Sequence, residues 1–145
     1  METVRNILAN KGSEISSIGP DATVLEAARQ MNEQKIGALL VVEADRIIGM
    51  FTERDMLQRV VAEGREPAGT VIRDVMTREV VCCDPATPIE DARNVMKNRR
   101  IRHLPVVDDE GHPQGMISIG DLNAFKLDGH EKTLTYLREY IYGRG

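Results

Sequence analysis

Two acidic residues stand in matching sequence contexts, and their spacing from a hydroxyl group suggests what they could bind. Asp55 follows Thr52 in the stretch GMFTERDML, and Asp121 follows Ser118 in GMISIGDLN. A hydroxyl residue between a strand and a helix lies beside free backbone N–H groups and the positive end of a helix dipole, which suit a phosphate. An ionised carboxylate one turn later can accept two hydrogen bonds, as a ribose diol presents them. The pattern is therefore compatible with a nucleotide held by its ribose and phosphate.

The same spacing also has a purely structural interpretation. A hydroxyl residue followed three positions later by an acid is typical of a capping box, in which both side chains satisfy backbone N–H groups at the start of a helix. One copy alone favours the cap. The residues by themselves leave both interpretations open.

The two motifs belong to an internal repeat of the whole chain. A shift of 65 positions places residues 14–42 on residues 79–107 without a gap, and eight positions are then identical. Unrelated segments of this length would share about two. The eight pairs are Glu14/Glu79, Pro20/Pro85, Ala27/Ala92, Met31/Met96, Ile36/Ile101, Leu39/Leu104, Val41/Val106 and Val42/Val107. One extra residue in the second copy then aligns Gly49, Met50 and Asp55 with Gly115, Met116 and Asp121.

Each repeat predicts the element order β-α-β-β-α. The first strands are EISSI and EVVCC, and apolar residues spaced by three and four predict the next helices, which carry Val24, Ala27 and Met31 in one copy and Ile89, Ala92 and Met96 in the other. The strand pairs are ALLVVE with RIIGMF and HLPVVD with PQGMIS, and the last helices begin at Thr52 and Ser118. Short helices around Val4, Ile7 and Leu8 and around Ile72, Val75 and Met76 precede the two repeats.

These elements predict an α/β (α+β) fold with two half-size units. Residues 1–62 form the first repeat with its preceding helix, 63–70 a linker, 71–127 the second repeat and 128–145 a C-terminal helix. A unit of this size is marginal on its own, so we expect the two to pack face to face through their sheets, around a cleft with pseudo-two-fold symmetry. In the terminal helix Leu134, Leu137 and Ile141 share a face, which fits either docking on the chain's own core or a dimer contact.

Composition argues against several functions. The net charge of -4 and pI near 5.4 disfavour general nucleic-acid binding. No apolar run approaches the roughly 18 residues that a membrane span needs. The start METVRNILANKG has no apolar signal core, so we expect a cytoplasmic protein.

Two local clusters have structural explanations as well as functional ones. The adjacent Cys82 and Cys83 are poor candidates for a disulfide or a zinc site, and we interpret them as small strand residues, with redox sensing as the alternative. A basic cluster is typical of a solvated helix face; its members here are Lys97, Arg99, Arg100, Arg102 and His103.

The doubled plan resembles a known family. The motif Gly-apolar-x-Thr/Ser-x-x-Asp in both copies, the strands IGALLVV and IRHLPVV, and DVMT before the second repeat are similar to a tandem pair of CBS (cystathionine β-synthase) domains. The resemblance covers about Val4 to Leu127. It implies a regulatory module that binds AMP, ADP, ATP, NAD or S-adenosylmethionine between its repeats, pairs with a second copy as a homodimer and signals to a partner protein that the sequence does not identify.

The resemblance also assigns roles to particular residues. Asp55 and Asp121 correspond to ribose-binding acids, and Thr52 and Ser118 to hydroxyl contacts with ribose or phosphate. Two segments correspond to backbone that meets adenine, namely Ser16, Ser17 and Ile18, and Val81, Cys82 and Cys83. Two more correspond to strands that line the base, namely Gly37, Ala38 and Leu39, and Arg102, His103, Leu104 and Pro105.

Charges near these positions indicate the ligand class. Arg54, Arg102 and His103 are candidates for phosphate contact, whereas Lys97, Arg99 and Arg100 remain solvated helix residues in this interpretation. Cationic neighbours favour AMP, ATP or NAD over S-adenosylmethionine. Glu53-Arg54 in the first copy faces Ile119-Gly120 in the second, so we expect the two sites to differ in affinity.

Three functions compete on these grounds. The first is a regulatory binding module, whose effector would be another polypeptide or its own oligomer. The second is an assembly module in which the motifs serve only as helix caps. An enzyme is disfavoured because no nucleophile and base are paired in the sequence, and His103, His112 and His130 lie in unrelated contexts.

Overall fold

The computed structural model describes residues 2–12 and 14–129, and side chains as far as Phe125. The first repeat contains α1 (Val4–Lys11), β1 (Ser17–Ile18), α2 (Val24–Gln34), β2 (Ala38–Glu43), β3 (Arg46–Thr52) and α3 (Glu53–Asp55), which continues as a π-helical stretch over Met56–Val61. The second contains α4 (Ile72–Val75), α5 (Ile89–Arg99), β4 (His103–Val107), β5 (Pro113–Ser118) and α6 (Ile119–Gly129). No helix of this described part is both long enough and apolar enough to cross a membrane. The predicted C-terminal helix lies outside it.

The strand pairs of the two repeats follow one plan. β1 runs parallel to β2, β2 is antiparallel to β3, and β4 is antiparallel to β5. Both hairpins are irregular at the same aligned position, between Val41 and Val42 and between Val106 and Val107. The change of length falls in the hairpin loops: Ala44 and Asp45 turn the first with positive φ angles of 52° and 64°.

One predicted strand is wrong. EVVCC forms a single bridge, between Cys83 and Val106, where the first repeat has a two-residue strand. In the first repeat the Leu40 N–H donates to the Ser16 carbonyl at 3.0 Å. The aligned residue of the second repeat is Pro105, which has no N–H to donate, so the parallel pairing cannot extend.

Alternation along the strands divides the apolar residues between two sides. Leu39 and Val41 pack with α2 in the core of the first repeat, and Leu104 and Val106 pack with α5 in the core of the second. The apolar residues at the intervening positions face the other repeat. They form a third cluster, between the sheets, that includes Leu40, Met50, Val80 and Met116. The repeats therefore pack through their sheets, as predicted.

The helices that precede the repeats pack crosswise. Val4 and Ile7 of α1 belong to the core of the second repeat, and Ile72 and Val75 of α4 belong to the core of the first. This corrects the expectation that each unit keeps its own preceding helix. The linker holds a 3₁₀ turn at Pro67–Gly69, after which the Thr70 carbonyl accepts a hydrogen bond from Val24 N.

Glycine in β3 and β5 makes this crossing possible. A Cβ at Gly49 would lie 2.6 Å from Met76 Sδ and 2.8 Å from the Thr77 carbonyl oxygen. A Cβ at Gly115 would lie 2.8 Å from Leu8 Cδ2, which is a flexible side chain. Both glycines leave room for a close neighbour, but Gly49 lies against backbone as well as a side chain, whereas Gly115 lies against a side chain alone.

We therefore expect Gly49→Ala to destabilise the protein by about 1–3 kcal/mol, and Gly115→Ala by less. Backbone at Thr77 cannot rotate away from the new methyl group, whereas Leu8 can change rotamer. Chemical denaturation of both variants measures the difference in the free energy of unfolding. Equal losses at the two positions would contradict this explanation.

Candidate functional site

Two of the cavities between the repeats have walls that the internal repeat relates to each other. The first has a volume of about 330 Å³ and the second about 280 Å³. Thr52, Glu79, Val81 and Arg100 in the wall of the first align with Ser118, Glu14, Ser16 and Lys35 in the wall of the second. The single predicted cleft is therefore two equivalent cavities, and they meet at Gly37 and His103.

The acid of the first motif lies at the junction of β3 and α3. Asp55 Oδ2 accepts hydrogen bonds from Thr52 N at 3.0 Å and Thr52 Oγ1 at 3.1 Å, and Asp55 N donates to Thr52 Oγ1 at 3.1 Å. Thr77 Oγ1 donates to Asp55 Oδ1 at 2.8 Å, and Arg59 Nε lies 3.6 Å from the same oxygen. Asp55 is only 6% exposed, yet it forms part of the wall of the first cavity. It is thus both a helix cap and a carboxylate at the cavity.

The second motif repeats the cap with different neighbours. Ser118 N donates to Asp121 Oδ2 at 2.8 Å, and Asp121 N donates to Ser118 Oγ at 3.1 Å. Lys11 Nζ also donates to Asp121 Oδ2, at 2.7 Å. The capping interpretation therefore holds for both copies, and it does not by itself exclude a ligand.

These caps occupy most of the N–H groups at the helix starts that were predicted to bind a phosphate. Besides the two N–H groups of each capping box, Glu53 N donates to the Gly37 carbonyl at 3.1 Å and Ile119 N donates to the Arg102 carbonyl at 3.0 Å. Fewer N–H groups are therefore free to bind an anion than the sequence predicted. A phosphate at the first cavity would depend mainly on side chains.

The structure brings part of the predicted set to the cavity walls. The first wall includes Gly37, Thr52, Arg54, Asp55, Val81, Arg102 and His103, and the second includes Ser16, Gly37, Ala38, His103 and Ser118. The predicted residues outside both walls are Ser17, Ile18, Leu39, Cys82, Cys83, Leu104, Pro105 and Asp121. Leu39 and Leu104 alternate to the opposite side of their strands and are fully buried in the two repeat cores.

Sequence reasoning missed several wall residues. In the first cavity they are Met50, Glu53, Thr77, Glu79, Val80, Arg100 and Ile101, and in the second Lys11, Glu14, Lys35, Ile36, Met116 and Ile117. Arg100 and Ile101 directly precede a predicted segment, and Thr77 ends the stretch DVMT, so extending each matched segment would have found them. Lys11 gives no such signal, because only the crossing of α1 brings it to the second cavity.

The first cavity combines apolar walls with charges of both signs. Met50, Val80, Val81 and Ile101 supply the apolar surface. The charged residues are Glu53, Asp55 and Glu79 with Arg54, Arg100 and Arg102. Among the described residues, none of these three arginines takes part in an ion pair. Their guanidinium groups are available to an anionic ligand.

His103 contributes little positive charge. Burial lowers its pKa from the usual value near 6.5, and the neighbouring Arg102 lowers it further. The imidazole is therefore neutral at pH 7, and it can offer a hydrogen bond where the two cavities meet.

The adjacent cysteines lie away from both cavities. Burial raises the pKa of the Cys82 thiol, and burial together with Asp84 and Cys82 raises that of Cys83 to about 11. Protonated thiols react slowly with oxidants, which disfavours redox sensing. The described residues include no group of three or more His, Cys, Asp and Glu side chains that could hold a metal ion.

Relatives of known sequence and structure share this architecture. A family model described as "CBS domain" matches residues 4–62 and 72–127. The chain is 34% identical to the mitochondrial CBS domain-containing protein CBSX3 of Arabidopsis thaliana, over 97% of this chain and 72% of that one.

Solved structures superpose on nearly the whole chain. The CBS domain protein NE2398 is 36% identical, with a TM-score of 0.83 over 87% of this chain and 98% of its own. A protein with CBS domains from Burkholderia ambifaria MC40-6 is 34% identical, with a TM-score of 0.80 over 98% of this chain and 100% of its own. The CBS domain pair of protein MJ0100, in complex with 5'-methylthioadenosine and S-adenosyl-L-methionine, shares the fold at 23% identity, with a TM-score of 0.78 over 90% of this chain and 98% of its own.

The two matched ranges coincide with the two β-α-β-β-α units described above, and the solved relatives have the same arrangement of sheets and helices. The chain therefore belongs to the CBS domain family and is a tandem pair of CBS domains.

Proposed function

We propose that this CBS pair is a regulatory module that binds an adenosine-containing nucleotide in the first cavity and catalyses no reaction. The observation that carries the proposal is the position of Asp55, a carboxylate in the wall of a cavity that also has apolar surface and three arginines. The volume of about 330 Å³ falls in the range of small-molecule sites. AMP, ADP, ATP and NAD are the ligands that fit this combination of groups.

The ribose is assigned to Asp55. An ionised carboxylate has roughly four acceptor positions, and Asp55 uses three of them on Thr52 N, Thr52 Oγ1 and Thr77 Oγ1. The two hydroxyl groups can rotate, so a ribose O–H can replace either of them as the donor. Ligand binding then breaks one hydrogen bond from a protein hydroxyl group to Asp55, and a ribose hydroxyl replaces it.

The adenine base is assigned to apolar side chains and the phosphate to cationic ones. Met50, Val81 and Ile101 offer an apolar slot for adenine, and Val81 belongs to a segment that the resemblance to CBS domains assigns to adenine. Arg100 and Arg102 provide donors for phosphate oxygens, which guanidinium groups bind through paired hydrogen bonds. S-adenosylmethionine is disfavoured, although the fold holds it in the MJ0100 pair, because its sulfonium cation would lie near these arginines.

The first test is a thermal-shift panel with AMP, ADP, ATP, NAD, NADH and S-adenosylmethionine, followed by titration calorimetry with the best ligand. A ligand at about 100 times its dissociation constant stabilises the folded state by roughly 2.7 kcal/mol. Nucleotide that co-purifies with the protein would mask the shift, and the absorbance of denatured supernatant detects it.

We expect Asp55→Asn to weaken AMP binding about tenfold or more, because a hydrogen bond to a charged acceptor is stronger than one to an amide. Asparagine keeps the size of the side chain and part of the cap. Asp91→Asn is the matched control, since Asp91 is an exposed acid in the first turn of α5. Calorimetry on folded variants that shows equal AMP affinity for Asp55→Asn and wild type would reject the assignment.

The phosphate assignment makes a separate prediction. Arg102→Gln should lower the affinity for AMP about tenfold and leave the affinity for adenosine nearly unchanged, because adenosine has no charge for the guanidinium to bind. Arg99→Gln removes the same charge from an exposed residue outside the cavity wall and should change neither affinity. A parallel loss for AMP and adenosine would indicate that Arg102 contacts the base or supports the fold instead.

Assembly is the second candidate function, and one observation favours it. Leu57 and Val61 are each 62% exposed, and their spacing places them on one face of the π-helical stretch. Large apolar residues grouped on a surface often mark a protein interface. A homodimer could bury these two side chains, and nucleotide binding could then act through the assembled form.

If this face joins two copies, the double variant Leu57→Ser with Val61→Ser should shift the protein to a smaller species without loss of stability, because both side chains are already exposed in the single chain. Sedimentation velocity, with and without AMP, measures the change. Val81→Ser with Ile101→Ser serves as a control that alters apolar residues at the cavity instead. An unchanged sedimentation coefficient in the Leu57 and Val61 variant would exclude this face as the interface.

A further inference from the structure

The two motif acids occupy aligned positions, but different groups donate hydrogen bonds to them. In the first repeat Thr77 N donates to the Met50 carbonyl at 2.9 Å, and Thr77 Oγ1 donates to Asp55 at 2.8 Å. In the second repeat Lys11 Nζ makes both bonds, to the Met116 carbonyl at 2.8 Å and to Asp121 at 2.7 Å. One ammonium group thus replaces a backbone N–H and a hydroxyl group.

The replacement changes what faces each cavity. Asp55 is part of the first wall, whereas in the second wall the corresponding place is taken by Lys11, and Asp121 is absent from it. The Asp121 side chain is nevertheless 24% exposed, more than the 8% of Asp55. Its separation from the second cavity therefore results from the position of Lys11 and not from deeper burial.

The fold holds Lys11 in this position. Val4 and Ile7 anchor α1 in the core of the second repeat, and Leu8 packs against Gly115 of β5. Lys11 is the last residue of α1, one turn beyond Leu8, so the same face of the helix that carries Leu8 brings Lys11 toward the end of β5. A cation is also favoured at the C-terminus of a helix.

From these contacts we propose that Lys11 is a built-in competitor for Asp121, so that nucleotide fills the first cavity and enters the second only when Lys11 is displaced. The inference rests on the proposed function, in which the motif acids hold ribose. A ribose hydroxyl is a neutral donor, so taking the place of Lys11 at Asp121 would break the ion pair at 2.7 Å, whereas taking the place of Thr52 or Thr77 at Asp55 exchanges one hydroxyl donor for another. In the first cavity the side chains that donate hydrogen bonds to Asp55 are hydroxyl groups, and the nearest cation, Arg59 Nε, lies 3.6 Å away, beyond hydrogen-bond distance.

Titration calorimetry with AMP on the full chain tests the proposal. Wild type should bind one AMP at low concentration, and Lys11→Met should gain a second site whose affinity is about tenfold or more above that of the wild-type second cavity. Lys97→Met is the matched control, because it removes an exposed lysine that lies in neither wall and makes no bond to Asp121. Lys11→Gln provides a second variant in case Lys11→Met does not fold.

The outcomes separate this inference from the proposed function. If wild type binds AMP through Asp55 but neither Lys11 variant gains a site, the competitor role is overturned and the proposed function stands. If the Lys11 variants lose AMP affinity, Lys11 is a ligand contact, which also overturns the role. If no variant and no wild type binds AMP, the proposed function fails and the competitor role fails with it.

Chemical acetylation provides a readout of the ion pair that needs no nucleotide. Lys11 in wild type should react more slowly than Lys35, and Asp121→Asn should raise its rate to that of Lys35, as measured by peptide mass spectrometry. Adding AMP at high excess should raise Lys11 acetylation, because displacement frees the amine. A fall in Lys11 acetylation on adding AMP would show that the bound nucleotide covers Lys11, and would reject displacement.

Discussion

The apolar contact between the sheets of the two repeats is the interaction on which the remaining structure depends. Leu40 and Met50 of the first repeat cluster with Val80 and Met116 of the second. Neither half-size unit has enough core to be secure alone, and burying these side chains requires the other repeat. Because the sheets face each other, the ends of β3 and β5 open into cavities between the repeats. Both candidate sites exist only as a consequence of this packing.

The crossed helices α1 and α4 make each repeat depend further on the other. α1 completes the core of the second repeat and α4 completes that of the first, so unfolding either repeat would expose apolar surface of the other. Gly49 and Gly115 allow the approach, since a side chain at either position would overlap Met76 or Leu8. We therefore regard the two repeats as one cooperative unit, in which a ligand bound between them stabilises both.

A single motif serves two purposes in this arrangement. Thr52 and Asp55 close a capping box, and the same hydrogen bonds orient the carboxylate at the cavity wall. A stability role and the proposed binding role are therefore compatible for these residues. The symmetry of the motif does not carry over to its surroundings, because Thr77 meets Asp55 whereas Lys11 meets Asp121. The predicted difference between the sites remains a prediction, but its physical origin now includes this exchange of a neutral donor for a cation.

The sequence by itself determined the repeat, the order of elements, the fold class and the position of the two motifs, since these depend on local patterns of apolar and hydroxyl residues. The prediction was wrong at the first strand of the second repeat. Pro105 has no N–H to donate there, and this matters only once it is known which strands pair. The sequence could not identify Lys11 as a neighbour of Asp121, or the assignment of α1 to the second repeat, because these contacts join residues far apart in the sequence, 110 positions in the case of Lys11 and Asp121. Tertiary structure decided which face of each strand meets a cavity, which N–H groups are already paired, and which charge neighbours each acid, because these properties depend on how the two repeats cross.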